Sequence, residues 1–216
     1  MVKVDAAIRS LPKEALFDIL ERAMLHVPVE RLPEVLGRVV PLKEVEEGPA
    51  AAKALLQAVK RFHAETVAGE NYDYFQVNSR NSSEMSEGTE DWIAEFRRLL
   101  DSCLAQAPVG PPEAVREAFE LLLDLLRRLN DGEAIVFFAD DSWSWQVPVQ
   151  WDEVLPAYFR CISATAAPKE FAKVVRTAIK EFVGRDSANF LRVASRAATP
   201  EQKRALMDGR IRRGGR

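Results

Sequence analysis

Apolar residues recur at helical spacing, three or four positions apart, along most of this chain. One stripe covers Pro12–His26, a shorter one covers Leu32–Val39, and a third covers Pro49–Val67, after which Gly69 is placed to end the helix. These three stripes predict an N-terminal helical lobe over residues 1–68.

Helical spacing returns after residue 88. Thr89 is predicted to be the N-cap of a helix that ends before Pro108. The next stripe ends near Asn130 and Gly132 and is apolar around much of its circumference, so we expect that helix to be central and to be contacted on more than one side.

The pattern of apolar residues in the C-terminal half predicts a run of short helices joined by short loops. Asp152 is expected to cap one helix, Pro168 to open the next, and a third to surround Phe190. In T-P-E-Q, Thr199 is the expected N-cap and Gln202 stands at the reciprocal position of a capping box. We therefore predict an all-α protein of about eight to nine helices, either an irregular helical-hairpin bundle or a short α-solenoid, with its second domain over residues 89–209.

The segment between Gly69 and Gly88 is rich in Asn, Ser and Glu and poor in aliphatic residues. This composition predicts a linker or long loop over residues 69–88, with residues 78–88 the more disordered half. The first half keeps Tyr72, Tyr74 and Phe75, which favour a loop held on the surface of the protein, and the two tyrosines are candidate binding residues.

A period of two replaces the helical period between Trp143 and Trp151, in W-S-W-Q-V-P-V-Q-W. Alternate side chains of a strand share one face, so three of the four tryptophans would lie together. With the apolar run Ile135–Ala139, the pattern predicts one small β-hairpin or extended arm near residues 135–149. Trp143 and Trp145 either pack on the helices or form a docking surface.

Asp140 and Asp141 lie beside these tryptophans in the sequence. Two carboxylates at a turn can bind Mg²⁺ or act as general acid and base, although adjacent aspartates are also ordinary turn residues. The only histidines are His26 and His63, and nucleotide-binding, zinc-protease and nucleophile-elbow motifs are lacking. We therefore predict no catalytic residue, no metal and no cofactor.

Composition places the chain among ordinary globular proteins, with 47% hydrophobic and 29% charged residues. Two isolated cysteines, Cys103 and Cys161, fall in apolar stripes and are expected to be buried thiols in a reducing compartment. No signal-peptide pattern or membrane-spanning run occurs. These features predict a cytoplasmic protein without a membrane partner.

Charge is distributed unevenly. The net charge is -3, yet the chain from Arg185 onward holds nine Lys or Arg against three Asp or Glu. Residues 210–216 are predicted to form a basic flexible tail, in which Arg210, Arg212 and Arg213 are candidates for phosphate contact.

Three function classes remain open on the sequence alone. The first is a non-enzymatic α-helical adaptor or accessory subunit that binds a protein partner through the aromatic ribbon or a helical groove. The second is an accessory protein that contacts nucleic acid through its basic end and exposed aromatic residues. The third is an enzyme with an acidic-aromatic pocket at Asp140 and Asp141.

Overall fold

The computed structural model of the chain describes residues 42–79, 81, 84–139, 146–183 and 187–211. These residues form seven α-helices and no strand. The helices are α1 (Leu42–Val67), α2 (Glu87–Gln106), α3 (Pro112–Asn130), α4 (Trp151–Thr165), α5 (Pro168–Phe182), α6 (Ser187–Ala197) and α7 (Pro200–Ile211). The all-α prediction is confirmed, whereas the count of eight to nine helices is not; the predicted helices Pro12–His26 and Leu32–Val39 lie outside the described residues.

Two compact units divide the chain, Met1–Glu47 and Gly48–Arg216. Helix α1 begins at Leu42, so Pro49 lies inside it and not in its first turn as the sequence had indicated. Within the second unit, Val59 and Phe62 of α1 belong to the same apolar core as the later helices. The division into residues 1–68, 69–88, 89–209 and 210–216 stays a prediction.

The described helices pack most extensively on helices one or two places along the chain. Helix α4 lies against α2, α3, α5 and α6, and α7 packs on α5 more extensively than on α6. The core between them is dense in aromatic and leucine side chains. Its largest fully buried members include Trp92, Phe96, Phe119, Tyr158, Phe159 and Phe171.

Helix α3 has the expected central position. It packs against α2 and α4, and its arginines also bridge to α5, where Arg116 pairs with Glu170 at 2.6 Å and Arg127 with Glu181 at 2.7 Å. Leu123, on the wide part of its apolar stripe, is 1% exposed. The prediction of a helix contacted on more than one side is confirmed.

Some of the predicted helix ends are correct and others are wrong. The capping box of α7 is confirmed, since Thr199 N donates to Gln202 Oε1 at 2.9 Å and Gln202 N donates to Thr199 Oγ1 at 3.3 Å. Pro168 opens α5 as expected. Thr89 is not an N-cap, because α2 begins two residues earlier and is capped by Ser86.

The N-cap of α4 was also predicted wrongly. Gln150 occupies that position, and Asp152 lies inside the first turn. A carboxylate in the first turn still stabilises the positive end of the helix, which explains why Asp152 resembled a cap.

The predicted β-hairpin is not confirmed, since the described residues near 135–149 contain no strand. Ile135 and Val136 are both buried, at 6% and 4% exposure. In a strand with one face in solvent, successive side chains point to opposite faces, so one of these two residues would be exposed. The carbonyl of Phe137 accepts its hydrogen bond from the side chain of Thr89 in α2. The segment is therefore held by side chains of the helical body and not by a ladder.

Both cysteines are buried, as predicted. Burial raises the pKa of the Cys103 thiol to about 12 and that of Cys161 to about 11. Both thiols are consequently protonated at neutral pH. No described helix is both long and apolar enough to cross a bilayer.

Candidate functional site

Four aromatic rings form a cluster at one place on the surface. Tyr72, Tyr74 and Phe75 each pack against Phe137 in a T-shaped arrangement, with centroid separations of 5.8, 5.0 and 5.1 Å and interplanar angles of 77°, 73° and 78°. Edge-to-face packing places the positive rim of one ring near the negative face of another, which favours this arrangement. These four residues are called the aromatic cluster below.

Two glycines direct the chain into the aromatic cluster. Gly69, with a φ of 79°, ends α1, where its N–H donates to Thr66 O and that of Glu70 donates to Glu65 O. Gly132, with a φ of 83°, ends α3 with the same pair of bonds. Both ends are Schellman motifs, which require a left-handed residue and therefore favour glycine. The two turns bring segments from distant parts of the sequence to one site.

The first turn of α2 holds both segments in place. Thr89 Oγ1 donates to the carbonyl of Phe137 at 2.6 Å, and Thr89 itself is fully buried. Asp73, on the loop with the tyrosines, accepts from Gly88 N at 3.2 Å. A Cβ on Gly88 would lie 2.7 Å from the Cβ of Asp73, so only glycine allows the loop to approach this closely.

A buried polar contact anchors α2 against α1 below this site. Trp92 Nε1 donates to Thr66 Oγ1 at 2.9 Å, and its ring is stacked between those of Phe62 and Phe96, with centroid separations of 5.7 and 5.3 Å. Trp92 is only 1% exposed. The aromatic cluster thus lies on a rigid base of packed helices.

The outer rings of the aromatic cluster remain accessible. Tyr74 is 63% exposed and Tyr72 is 41% exposed, which is unusual for large apolar side chains in contact with other rings. The described residues from 69 to 91 include six exposed carboxylates and no lysine, arginine or histidine. The carboxylates are Glu70, Asp73, Glu84, Glu87, Glu90 and Asp91. The segment that carries the tyrosines is therefore acidic overall, with six Asp or Glu against the single Arg80 between residues 69 and 91.

The structure describes only some of the candidate residues from the sequence. It brings Tyr72 and Tyr74 together on Phe137. Trp143, Trp145, Asp140 and Asp141 lie outside the described residues, as do Arg212, Arg213 and the side chain of Arg210.

Trp151, the last tryptophan of the period-two pattern, opens α4 and is not on a strand. Its ring stacks on Phe182 of α5 with a centroid separation of 4.7 Å.

Other side chains that could take part in catalysis or metal binding are engaged in structural contacts. His63 Nε2 lies 2.9 Å from Asp124 Oδ2, and Arg128 Nε donates to the same oxygen at 2.8 Å. No group of three or more His, Cys, Asp or Glu among the described residues could hold a metal ion.

Sequence reasoning missed two features that matter for binding. Phe137 was assigned to a strand, and nothing in its neighbourhood indicates that it would become the centre of an aromatic cluster formed with a loop over 60 positions away in sequence. The second is a basic groove at the C-terminal helices, where the sequence indicated only an excess of positive charge from Arg185 onward.

Comparison with protein-family profiles, curated proteins and solved structures gave no match to this chain.

Proposed function

We propose that this chain is a non-enzymatic α-helical interaction protein that binds a partner protein at the aromatic cluster. The observation that carries the proposal is the 63% exposure of Tyr74 while its ring is fixed against Phe137 at 5.0 Å. A ring that is already held in place loses little conformational freedom on binding, and tyrosine is enriched among the residues that dominate interface energies.

The charge around the aromatic cluster defines the chemistry of the partner. Exposed carboxylates that form no ion pair with a described residue attract a positively charged segment and disfavour an acidic one. We therefore propose that the partner presents an extended segment in which Lys or Arg alternates with apolar side chains. The apolar side chains would contact Tyr74, and the cations would lie over the surrounding carboxylates.

The same proposal extends along the sequence to Trp143 and Trp145, which follow Phe137 by six and eight positions. Asp140 and Asp141 would add negative charge to this surface. The packing of helices on neighbours one and two places away favours a short α-solenoid over a compact bundle, an architecture common among binding proteins.

Fluorescence anisotropy with labelled peptides tests the proposal. One peptide set alternates Lys or Arg with Leu, and a matched set carries Glu at the charged positions. We expect the basic set to bind, and the change Tyr74→Ala to weaken it about 30-fold, which corresponds to ~2 kcal/mol.

Val109→Ala is the matched control, because Val109 is 65% exposed but lies between α2 and α3, outside the aromatic cluster. Equal affinity of the two variants for the basic peptides, or no preference for basic over acidic peptides, would contradict the proposal.

The two alternative functions, nucleic-acid binding and catalysis, are tested by separate experiments. Nucleic-acid binding through Arg210, Arg212 and Arg213 predicts an affinity that falls steeply with salt and is lost on removal of residues 210–216. An enzyme with a pocket at Asp140 and Asp141 predicts an activity that Asp140→Asn abolishes.

A further inference from the structure

A groove between α6 and α7 combines an apolar floor with a basic rim. Leu191, Leu206 and Met207 supply apolar lining, and Arg192 and Arg196 lie at its side. Its volume is about 270 Å³. Met207 is 49% exposed, so the groove presents apolar surface to solvent.

The positive charge of this rim is not neutralised by the described residues. Arg192 donates to the neutral amide oxygen of Asn189 at 3.0 Å, and no described carboxylate pairs with Arg192 or Arg196. Among the described residues, no Asp or Glu lines the groove. Helix α6 has no acidic residue at all. The local field therefore favours an anionic ligand.

Contacts on the inner side of α7 fix the groove independently of any ligand. Arg176 of α5 donates to the carbonyls of Ala205 and Leu206. Gln202 binds α4 through the carbonyls of Ser163 and Ala166, at 2.9 and 3.0 Å. A groove that is formed before binding costs little to organise.

We propose that this groove binds an amphipathic helix of a partner protein, with a leucine-type side chain in the groove and Asp or Glu over Arg192 and Arg196. The volume of 270 Å³ is just below the range of about 300–1,000 Å³ typical of small-molecule pockets, and it suits one or two apolar anchors of a helix. The segment R-R-G-G-R at residues 212–216 has the same sign of charge as the rim, so like-charge repulsion disfavours it as the occupant.

This inference goes beyond the proposed function, since the groove is a second surface with the opposite charge preference. A protein with both surfaces joins a basic partner segment to an acidic one.

A labelled helical peptide of about 18 residues tests the groove, because shorter peptides are poorly helical in water. It carries Leu at positions i, i+3, i+4 and i+7 with Glu beside them, and a matched peptide carries Lys in place of Glu. The full chain is titrated into each peptide and anisotropy is measured. We expect the Glu peptide to bind with a Kd of order 10 µM and the Lys peptide at least about tenfold more weakly.

The decisive variant reverses the charge of the rim by combining Arg192→Glu with Arg196→Glu. We expect this double variant to bind the Glu peptide at least about tenfold more weakly than the native chain does, and to bind the Lys peptide more tightly. Arg97→Glu, an exposed change on α2, is the matched control and should alter neither affinity. Met207→Ala should weaken the Glu peptide with little change in melting temperature, whereas Tyr74→Ala should leave it unaffected.

Three results would overturn the inference. The first is no binding of the Glu peptide by the native chain. The second is equal affinity of the charge-exchanged variant for both peptides. The third is self-association of the chain that Met207→Ala abolishes, which would make a second copy the occupant. Failure of the Tyr74 experiment alone would affect only the proposed function.

Discussion

The side-chain amide of Gln202 is bound to Ser163 of α4 at both of its ends. Ser163 Oγ lies 2.8 Å from Gln202 Oε1, and Gln202 Nε2 donates to Ser163 O at 2.9 Å. Oε1 also accepts from Thr199 N, and Nε2 donates to Ala166 O, so both amide hydrogens are used. The single hydroxyl proton of Ser163 is shared between Gln202 Oε1 and the carbonyl of Ala197, which lies 2.7 Å from Ser163 Oγ. One side chain thus caps α7 and joins it to α4.

Replacing Gln202 should destabilise the fold. Gln202 is 2% exposed, so Gln202→Ala leaves buried partners of its amide without hydrogen bonds. We expect a loss of about 3 kcal/mol in the free energy of unfolding, measured by urea denaturation. Lys203→Ala, at the exposed neighbouring position, is the control and should change stability by less than about 0.5 kcal/mol. A small loss for both variants would show that the network is not important.

Trp92 should be the most sensitive tryptophan in the described part of the chain. Trp92→Ala removes a ring stacked between Phe62 and Phe96 and should cost about 3 to 5 kcal/mol. Trp92→Phe keeps the aromatic stacking and loses the bond to Thr66, and should cost about 1 to 2 kcal/mol. Trp151→Ala removes a half-buried ring and should cost less than Trp92→Ala; the reverse order in thermal unfolding would contradict the packing described here.

Asp124 should contribute stability that depends on pH. Partial burial acts to raise its pKa, but hydrogen bonds from Arg128 and His63 lower it below the usual value for a carboxyl. A carboxyl with a lowered pKa in the folded state stabilises the fold above its unfolded pKa, and this contribution is lost as pH falls through the folded pKa.

The change Asp124→Asn tests this dependence. We expect it to cost about 0.5 to 1 kcal/mol at pH 7, because the pair is partly exposed, and progressively less as the pH is lowered through the acidic range. Asp101→Asn, at an exposed position of α2, is the control. A cost for Asp124→Asn that is constant across this pH range would show that the charge is unimportant.

The two thiols should react slowly in the folded protein. A pKa of about 11 for Cys161, compared with the usual 9.0, reduces the thiolate fraction at pH 8 by about 100-fold, and the burial of both thiols slows reagent access further. Labelling with Ellman's reagent should therefore be slow in buffer and fast in guanidinium chloride. Rapid labelling of either thiol without denaturant would mean that it is accessible.

The sequence predicted local structure better than contacts between distant segments. Thr199, Pro200 and Gln202 form their cap within four residues, and Gly69 and Gly132 end helices through bonds within a single turn, so these features are legible in the sequence.

The errors arose where tertiary contacts override a local pattern. Thr89 has the chemistry of an N-cap, yet its hydroxyl is used by the carbonyl of Phe137, 48 positions away. Ile135–Ala139 has the composition of a strand, yet two neighbouring residues in it face the helices. The aromatic cluster combines both effects, which is why the sequence indicated Tyr72, Tyr74 and Phe75 but not the role of Phe137.

The packing of helices on near neighbours has a consequence for how the chain folds. Since α4 rests on α2, α3, α5 and α6, and α7 rests mainly on α5, most contacts join residues that are separated by few helices. A low contact order reduces the chain entropy that is lost before favourable contacts form. We therefore expect the main refolding phase, measured by stopped flow, to be faster than that of a β-sheet protein of similar length.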